Sequence, residues 1–87
     1  MYKVIYSENA VKDIKKLDRI VAERIIEKIF FFSKQKTIEP FAKSLKGFQN
    51  KFRFRIGDYR AIFTVDKSGH IHILMILNIK HRREIYE

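Results

Sequence analysis

The sequence contains no cysteine and no tryptophan, and only one proline and three glycines among 87 residues. Without cysteine there is no disulfide framework, no thiolate metal site and no cysteine nucleophile. Long apolar runs are also missing. The longest, Ile71–Leu77, is interrupted by His72 and falls well short of the roughly 20 residues that a membrane-spanning helix requires. Met1-Tyr2-Lys3-Val4-Ile5-Tyr6 alternates in polarity, unlike the apolar block of a signal peptide. A cytoplasmic protein without a membrane partner is therefore expected. Acidic residues are scarce too: 10 Asp and Glu stand against 19 Lys and Arg, for a formal charge of +9.

What is present is enough for one core. Hydrophobic residues make up 46% and aromatics 14%, too much for a disordered tail. The length suits a single domain over residues 1–87, held together by packing alone. The charge favours a polyanionic partner, with nucleic acid or an acidic protein ranked ahead of a membrane surface. That charge is uneven. Residues 1–40 carry nine cations and six acids, a balance of +3; residues 41–87 carry ten and four, a balance of +6.

Tyr2–Tyr6 reads as a strand, and Ser7 as the cap of a following helix, because its oxygen can accept an orphan N–H. Ala10, Val11, Ile14 and Leu17 recur at helical spacing. Asp18 is placed to cap a second helix, with Val21, Ala22, Ile25, Ile26, Ile29, Phe30 and Phe32 as its wide apolar face. Phe30-Phe31-Phe32 reads as core, with Phe31 at a packing edge or under a partner. Residues 33–48, with Pro40, read as a connector holding at most one helical turn. Lys51–Ile56 alternates cation and hydrophobe, Gly57-Asp58 forms a two-residue turn of type II′, and Tyr59–Val65 returns. After a turn at Asp66–Gly69, His70–Ile79 is a long apolar strand, and Lys80–Glu87 a charged tail that begins a short helix. The expected class is α+β: an N-terminal strand and a two-helix hairpin packed on one face of a small antiparallel sheet completed by three C-terminal strands.

The Gly57-Asp58 turn allows cross-strand neighbours to be counted. Ile56 faces Tyr59, Arg55 faces Arg60, Phe54 faces Ala61 and Arg53 faces Ile62. Faces alternate with period two, so Phe52, Phe54, Ile56, Tyr59, Ala61 and Phe63 share the core face. Lys51, Arg53, Arg55 and Arg60 share the other, with Ile62 and Thr64. Cations directly opposed across a ladder repel each other. Such a cluster either blunts an edge strand against aggregation or serves an anion, and the three arginines favour bidentate contacts to phosphate.

His70 and His72 share a strand face, but no third metal ligand is near them in sequence, and a surface or packing role is expected. His81 lies among cations in Lys80-His81-Arg82-Arg83, as a solvated chain end or as an acid or base near neutral pH. Tyr86 is open to three readings: an exposed terminal aromatic, a core plug or a platform for a stacked base.

Leu45-Lys46-Gly47, then Phe52-Arg53-Phe54-Arg55-Ile56-Gly57-Asp58-Tyr59-Arg60-Ala61-Ile62-Phe63, then Lys80-His81-Arg82-Arg83-Glu84-Ile85-Tyr86 resemble the RelE/ParE toxin superfamily over essentially the whole chain, on its RelE side. The resemblance implies the toxin of a type II toxin–antitoxin system. It would enter the ribosomal A site and cut mRNA by metal-independent attack of a ribose 2′-hydroxyl on the adjacent phosphate, leaving a cyclic phosphate. It also implies no cofactor, an acidic RelB-like antitoxin as partner, and operator DNA bound only through the antitoxin complex.

By the same resemblance, Lys51 and Arg53 match strand cations near the scissile phosphate, and Arg60 matches a phosphate-stabilising arginine. Lys80 or His81 matches the C-terminal basic position, and Tyr86 a tyrosine that stacks or shuttles a proton. Arg55, Lys80, Arg82, Arg83 and Lys46 would bind RNA. Some family members pair a glutamate base with a histidine acid, and Glu39 is the only acid of the connector. Arginine hardly deprotonates, so charge stabilisation is expected of Arg53 and Arg60, acid–base work of His81, and stacking or base work of Tyr86. The alternatives on the same fold are a ParE-like inhibitor of DNA gyrase and a toxin whose catalysis has decayed.

Overall fold

A computed structural model describes residues 1–85. Tyr2–Tyr6 forms β1. The chain then turns at Ser7, whose Oγ accepts the N–H of Ala10 at 3.0 Å and so caps α1, Glu8–Lys15. α2 spans Arg19–Ser33; Asp18 occupies its N-cap position but makes no side-chain capping bond. β2 is Ala42–Ser44, β3 Phe52–Ile56, β4 Tyr59–Ser68 and β5 Ile71–His81, followed by a 3₁₀ turn at Arg82–Glu84.

These strands form one five-stranded sheet in the order β1-β5-β4-β3-β2, and the α+β class holds. The sheet is mixed where an antiparallel one was expected, because β1 runs parallel to β5, from Tyr2 opposite His72 to Tyr6 opposite Ile76. Alternation marks Tyr2–Tyr6 as a strand but carries no information on its direction. The connector holds a further strand: Lys43 of β2 pairs with Arg53. With three residues, two of them exposed, β2 has too short a pattern to be seen in sequence.

The β3–β4 hairpin has the counted register, Arg55 opposite Arg60 and Arg53 opposite Ile62. Gly57 takes φ +59° while Asp58 stays at negative φ, as a type II′ turn requires and a type I′ turn forbids. β5 runs through His81, beyond the expected end at Ile79. A β-bulge interrupts its ladder with β4: Ile62 pairs with Asn78 but Phe63 with Ile76, leaving Leu77 as the extra residue. Ile76 and Ile79, three apart, are consequently both buried.

The helices cover one face of the sheet, over a column of rings. Phe32 of α2 lies 4.6 Å from Phe54, and Phe54 stacks on Phe63 at 4.2 Å. Of the three consecutive phenylalanines only Phe32 is core; Phe30 is 59% and Phe31 50% exposed. Successive helical residues point about 100° apart, so three in a row cannot all face one sheet. Ile26, also expected on the apolar face, is likewise exposed. Phe31 packs edge-on against Phe32 and Phe41, at the rim of the core. Among the described residues no helix is long and apolar enough to cross a membrane.

Candidate nucleic-acid interface

The sheet face away from the helices carries the cations, and the register arranges them in rows. Arg55, Arg60 and Lys80 stand opposite one another across β3, β4 and β5. The neighbouring row is Lys43, Arg53, Ile62 and Asn78, across β2 to β5. Lys51 precedes Arg53 by two residues and continues the same face by alternation.

Each cation is held differently. Arg60 is only 4% exposed. Its Nη1 donates to the carbonyl of Gly57 at 3.0 Å and to that of Tyr59 at 2.9 Å, so the guanidinium braces the turn that precedes it. Ile62, on the same face, is 7% exposed. Arg53, Lys51 and Lys80 are half-buried and Arg55 is exposed. The face is therefore a graded surface, with buried charge near the turn and more exposed charge on β3, rather than four solvated side chains.

Lys80 reaches this face because of the bulge. Counting back from the pair Ser68–Ile71 without an extra residue would set Ile79 opposite Arg60; Leu77 shifts the register by one, and Lys80 takes that place. The bulged backbone is strapped by α1. Ser7 Oγ donates to the carbonyl of Leu77 at 2.8 Å, the N–H of Ser7 donates to Ile76 O at 2.8 Å, and Asp13 Oδ2 accepts the N–H of Ile79 at 2.9 Å. β1 stops pairing at Ile76, so these helix groups satisfy backbone atoms that have lost a strand neighbour.

The same shift sends His81 to the helix side. It pairs with Tyr59, and the two rings meet edge-on at 5.2 Å. Its Nδ1 accepts the N–H of Arg83 at 3.2 Å, while Glu84 Oε1 accepts the N–H of His81 at 2.9 Å. His81 is thus the cap of the 3₁₀ turn, and with Nδ1 occupied the proton of the neutral ring sits on Nε2. A cleft of about 210 Å³ beside it is lined by Asp13, Leu17, Tyr59 and Lys80. Lys80 and His81, treated as interchangeable by sequence, are divided by their pairing, Lys80 opposite Arg60 of the cation row and His81 opposite Tyr59 of the core face, although both border this cleft.

Arg82 is tied back to the hairpin turn: its N–H donates to Asp58 O at 2.7 Å, and its Nε lies 3.5 Å from Asp58 Oδ1. Arg83 and Lys46 are exposed. Tyr86 lies outside the described residues. His72 packs against the Tyr2 ring at 5.6 Å, and among the described residues no group of three His, Asp or Glu could hold a metal ion.

The residue that sequence reasoning could not place is Glu39. It lines a cleft of about 240 Å³ with Pro40, Phe41, Lys43, Arg53 and Arg55, on the edge of the cation face. A signal was available. Glu39 is the only acid between Glu27 and Asp58, a stretch with eight cations. Together these groups form a surface that can neutralise phosphates from several directions and bring one carboxylate to bear on them.

The chain matches the family described as the ParE toxin of type II toxin–antitoxin systems, parDE, over residues 4–86. It is 27% identical to toxin RelE3 of Methanocaldococcus jannaschii over 88 aligned residues, covering 98% of this chain and 96% of that protein. Its fold is similar to the RelBE2 toxin–antitoxin complex of Mycobacterium tuberculosis, with TM-score 0.78, 25% identity and coverage of 93% of this chain and 98% of that one. It is also similar to the RelE–RelB complex of Pyrococcus horikoshii, with TM-score 0.70, 27% identity and coverage of 93% and 94%. The family match over nearly the whole chain and the shared fold agree, and the chain belongs to the RelE/ParE family of toxins from type II toxin–antitoxin systems.

Proposed function

We propose that this toxin is an endoribonuclease that cuts mRNA in the ribosomal A site, without a metal, and is restrained by an acidic RelB-like antitoxin. The observation that supports this reading is the pair of cation rows with Glu39 in the cleft beside Arg53 and Arg55. In the reaction the ribose 2′-oxygen bonds to the adjacent phosphorus, the bond from phosphorus to the 5′-oxygen breaks, and a 2′,3′-cyclic phosphate remains. Glu39 accepts the 2′-hydroxyl proton, since a carboxylate is a better acceptor than the arginines around it. Arg53 and Arg60 stabilise the charge that grows on the phosphate oxygens. Lys80, opposite Arg60, supplies a proton to the leaving oxygen, while Lys51, Arg55, Arg83 and Lys46 hold neighbouring phosphates. The gain is positional and electrostatic: the ribosome presents the message and the toxin aligns the attack.

Primer extension on a message translated in vitro tests the reading. Wild-type protein is expected to produce stops within codons, and Arg55→Ala with Lys80→Ala to abolish them. No stops with any protein in any translation mixture would overturn it. One observation favours a second reading: the family matched over residues 4–86 is named for ParE, and a ParE-like toxin would inhibit DNA gyrase instead. A supercoiling assay with purified gyrase separates the two, because inhibition without mRNA cleavage belongs only to the second.

A further inference from the structure

Phe48 is a half-exposed ring with no place in the core. It is 50% exposed, in the loop that leads from β2 into β3. That loop is fixed at both ends, since Leu45 N–H donates to Lys51 O at 2.8 Å and Phe48 N–H to Leu45 O at 3.1 Å. Gly47, at φ +87°, makes the turn in a region that side-chain-bearing residues avoid. Lys51 Nζ lies 4.5 Å from the centre of the Phe48 ring. Lys51 belongs to the cation face, so it joins this ring to the row containing Arg53 and Lys43.

We propose that Phe48 is a stacking platform for one unpaired nucleobase of single-stranded RNA, with the adjoining phosphate neutralised by Lys51. The proposal rests on the RNA reading above and adds to it where a base is held. Single-strand binding sites combine a cationic track with exposed aromatic rings, because every base offers a flat face whatever its identity. An ammonium group near a ring is attracted to its π face, which keeps Lys51 at the place where a backbone phosphate flanking a stacked base arrives. The pinned loop lowers the entropy lost when the ring is engaged. The surroundings select the ligand. Phe30 and Phe31 also carry lysines over their rings, Lys34 at 4.8 Å and Lys28 at 5.7 Å, but they lie on α2, on the helix side of the sheet. Phe48, beside Lys46 and Lys51, is joined through Lys51 to the cation face, which favours a polyanion over an apolar protein surface.

The chain has no tryptophan, so Phe48→Trp installs a single indole reporter at the site. The full-length variant is titrated with a single-stranded RNA hexamer and, separately, with an abasic ribose-phosphate strand of the same length. Quenching by the RNA but not by the abasic strand is expected. Phe48→Ala and Phe48→Leu should each weaken RNA binding roughly 5- to 100-fold and leave binding of the abasic strand unchanged, with circular dichroism like that of wild type. Equal quenching by both strands, or RNA affinity unaltered in Phe48→Ala and Phe48→Leu, overturns the platform. If Arg55→Ala with Lys80→Ala still abolishes mRNA cleavage by an active wild type in that case, the endoribonuclease reading stands without it. If wild-type protein binds no RNA and cuts no message, both fall together.

Discussion

The carboxylate of Asp13, on α1, accepts the backbone N–H of Ile79 at 2.9 Å across 66 residues of chain. It holds β5 beyond the point where β1 ends, one residue before Lys80. Asp13→Ala leaves that half-buried N–H without its partner, which costs about 1–3 kcal/mol. Asp13→Asn keeps an acceptor oxygen and should recover most of the loss. Urea midpoints of the two variants check this, and mRNA cleavage should follow the same order, because a loosened Ile79 also loosens Lys80.

Arg55 and Arg60 face each other across the hairpin but should respond differently. Arg55→Ala removes an exposed cation and relieves repulsion with Arg60, so stability should hold or rise slightly. RNA affinity should fall, and the slope of log affinity against log salt should shrink by about 0.7. Arg60→Ala strips donors from Gly57 O and Tyr59 O and should cost about 1–3 kcal/mol besides its loss of activity. Thermal melts alongside salt titrations separate the two cases.

Glu39→Gln keeps the shape of the cleft and removes the acceptor. Cleavage should slow by roughly 100- to 10,000-fold, while RNA affinity holds or tightens as a negative charge disappears. Single-turnover cleavage measured beside equilibrium binding checks the split, and parallel losses in both would count against Glu39 as the base.

Lys80 and His81 are separated by a paired test. Lys80→Ala should reduce cleavage by roughly 100-fold or more, with little change in stability. His81→Asn, which can still cap the 3₁₀ turn, should retain cleavage within a few-fold. His81→Ala should lose about 1 kcal/mol of stability through the missing cap. Cleavage lost in His81→Asn and kept in Lys80→Ala would reverse the assignment.

Burial lifts the Tyr6 hydroxyl above its ordinary value of 10.0. The folded state therefore holds this proton more tightly than the unfolded chain. The stability it contributes is complete below that ordinary value and is lost as pH rises through the folded one. Wild type should weaken more steeply than Tyr6→Phe in urea melts above about pH 10, and the two should run parallel below it.

Most of the hairpin is legible in the sequence, because Gly57-Asp58 fixes a register and period two does the rest. The opposition of Arg55 and Arg60 is a local fact. Lys80 and His81 depend on two nonlocal ones: β5 runs two residues past its apolar stretch, and Leu77 adds a residue that reverses which of the pair faces outward. A bulge leaves no mark in a run as uniformly apolar as Ile73–Leu77. Glu39 could be named but not placed, for a related reason. Its neighbours in the cleft come from β2 and β3, and β2 is held by pairing with Arg53 rather than by its own sequence. Phe30 and Ile26 show the opposite error, since both were expected on the apolar face of α2 and both are exposed, whereas Phe31 lies at the packing edge as expected.

The parallel pairing of β1 with β5, Tyr2 beside His72, also governs the order in which the molecule can be completed. The β3–β4 hairpin closes over a two-residue turn and can form as soon as it is synthesised, whereas β1 must wait about 70 residues for its neighbour. Lys80 comes on that same late strand. Lys80 follows the end of β4 at Ser68, so the row of Arg55, Arg60 and Lys80 is complete only once β5 has paired with β4.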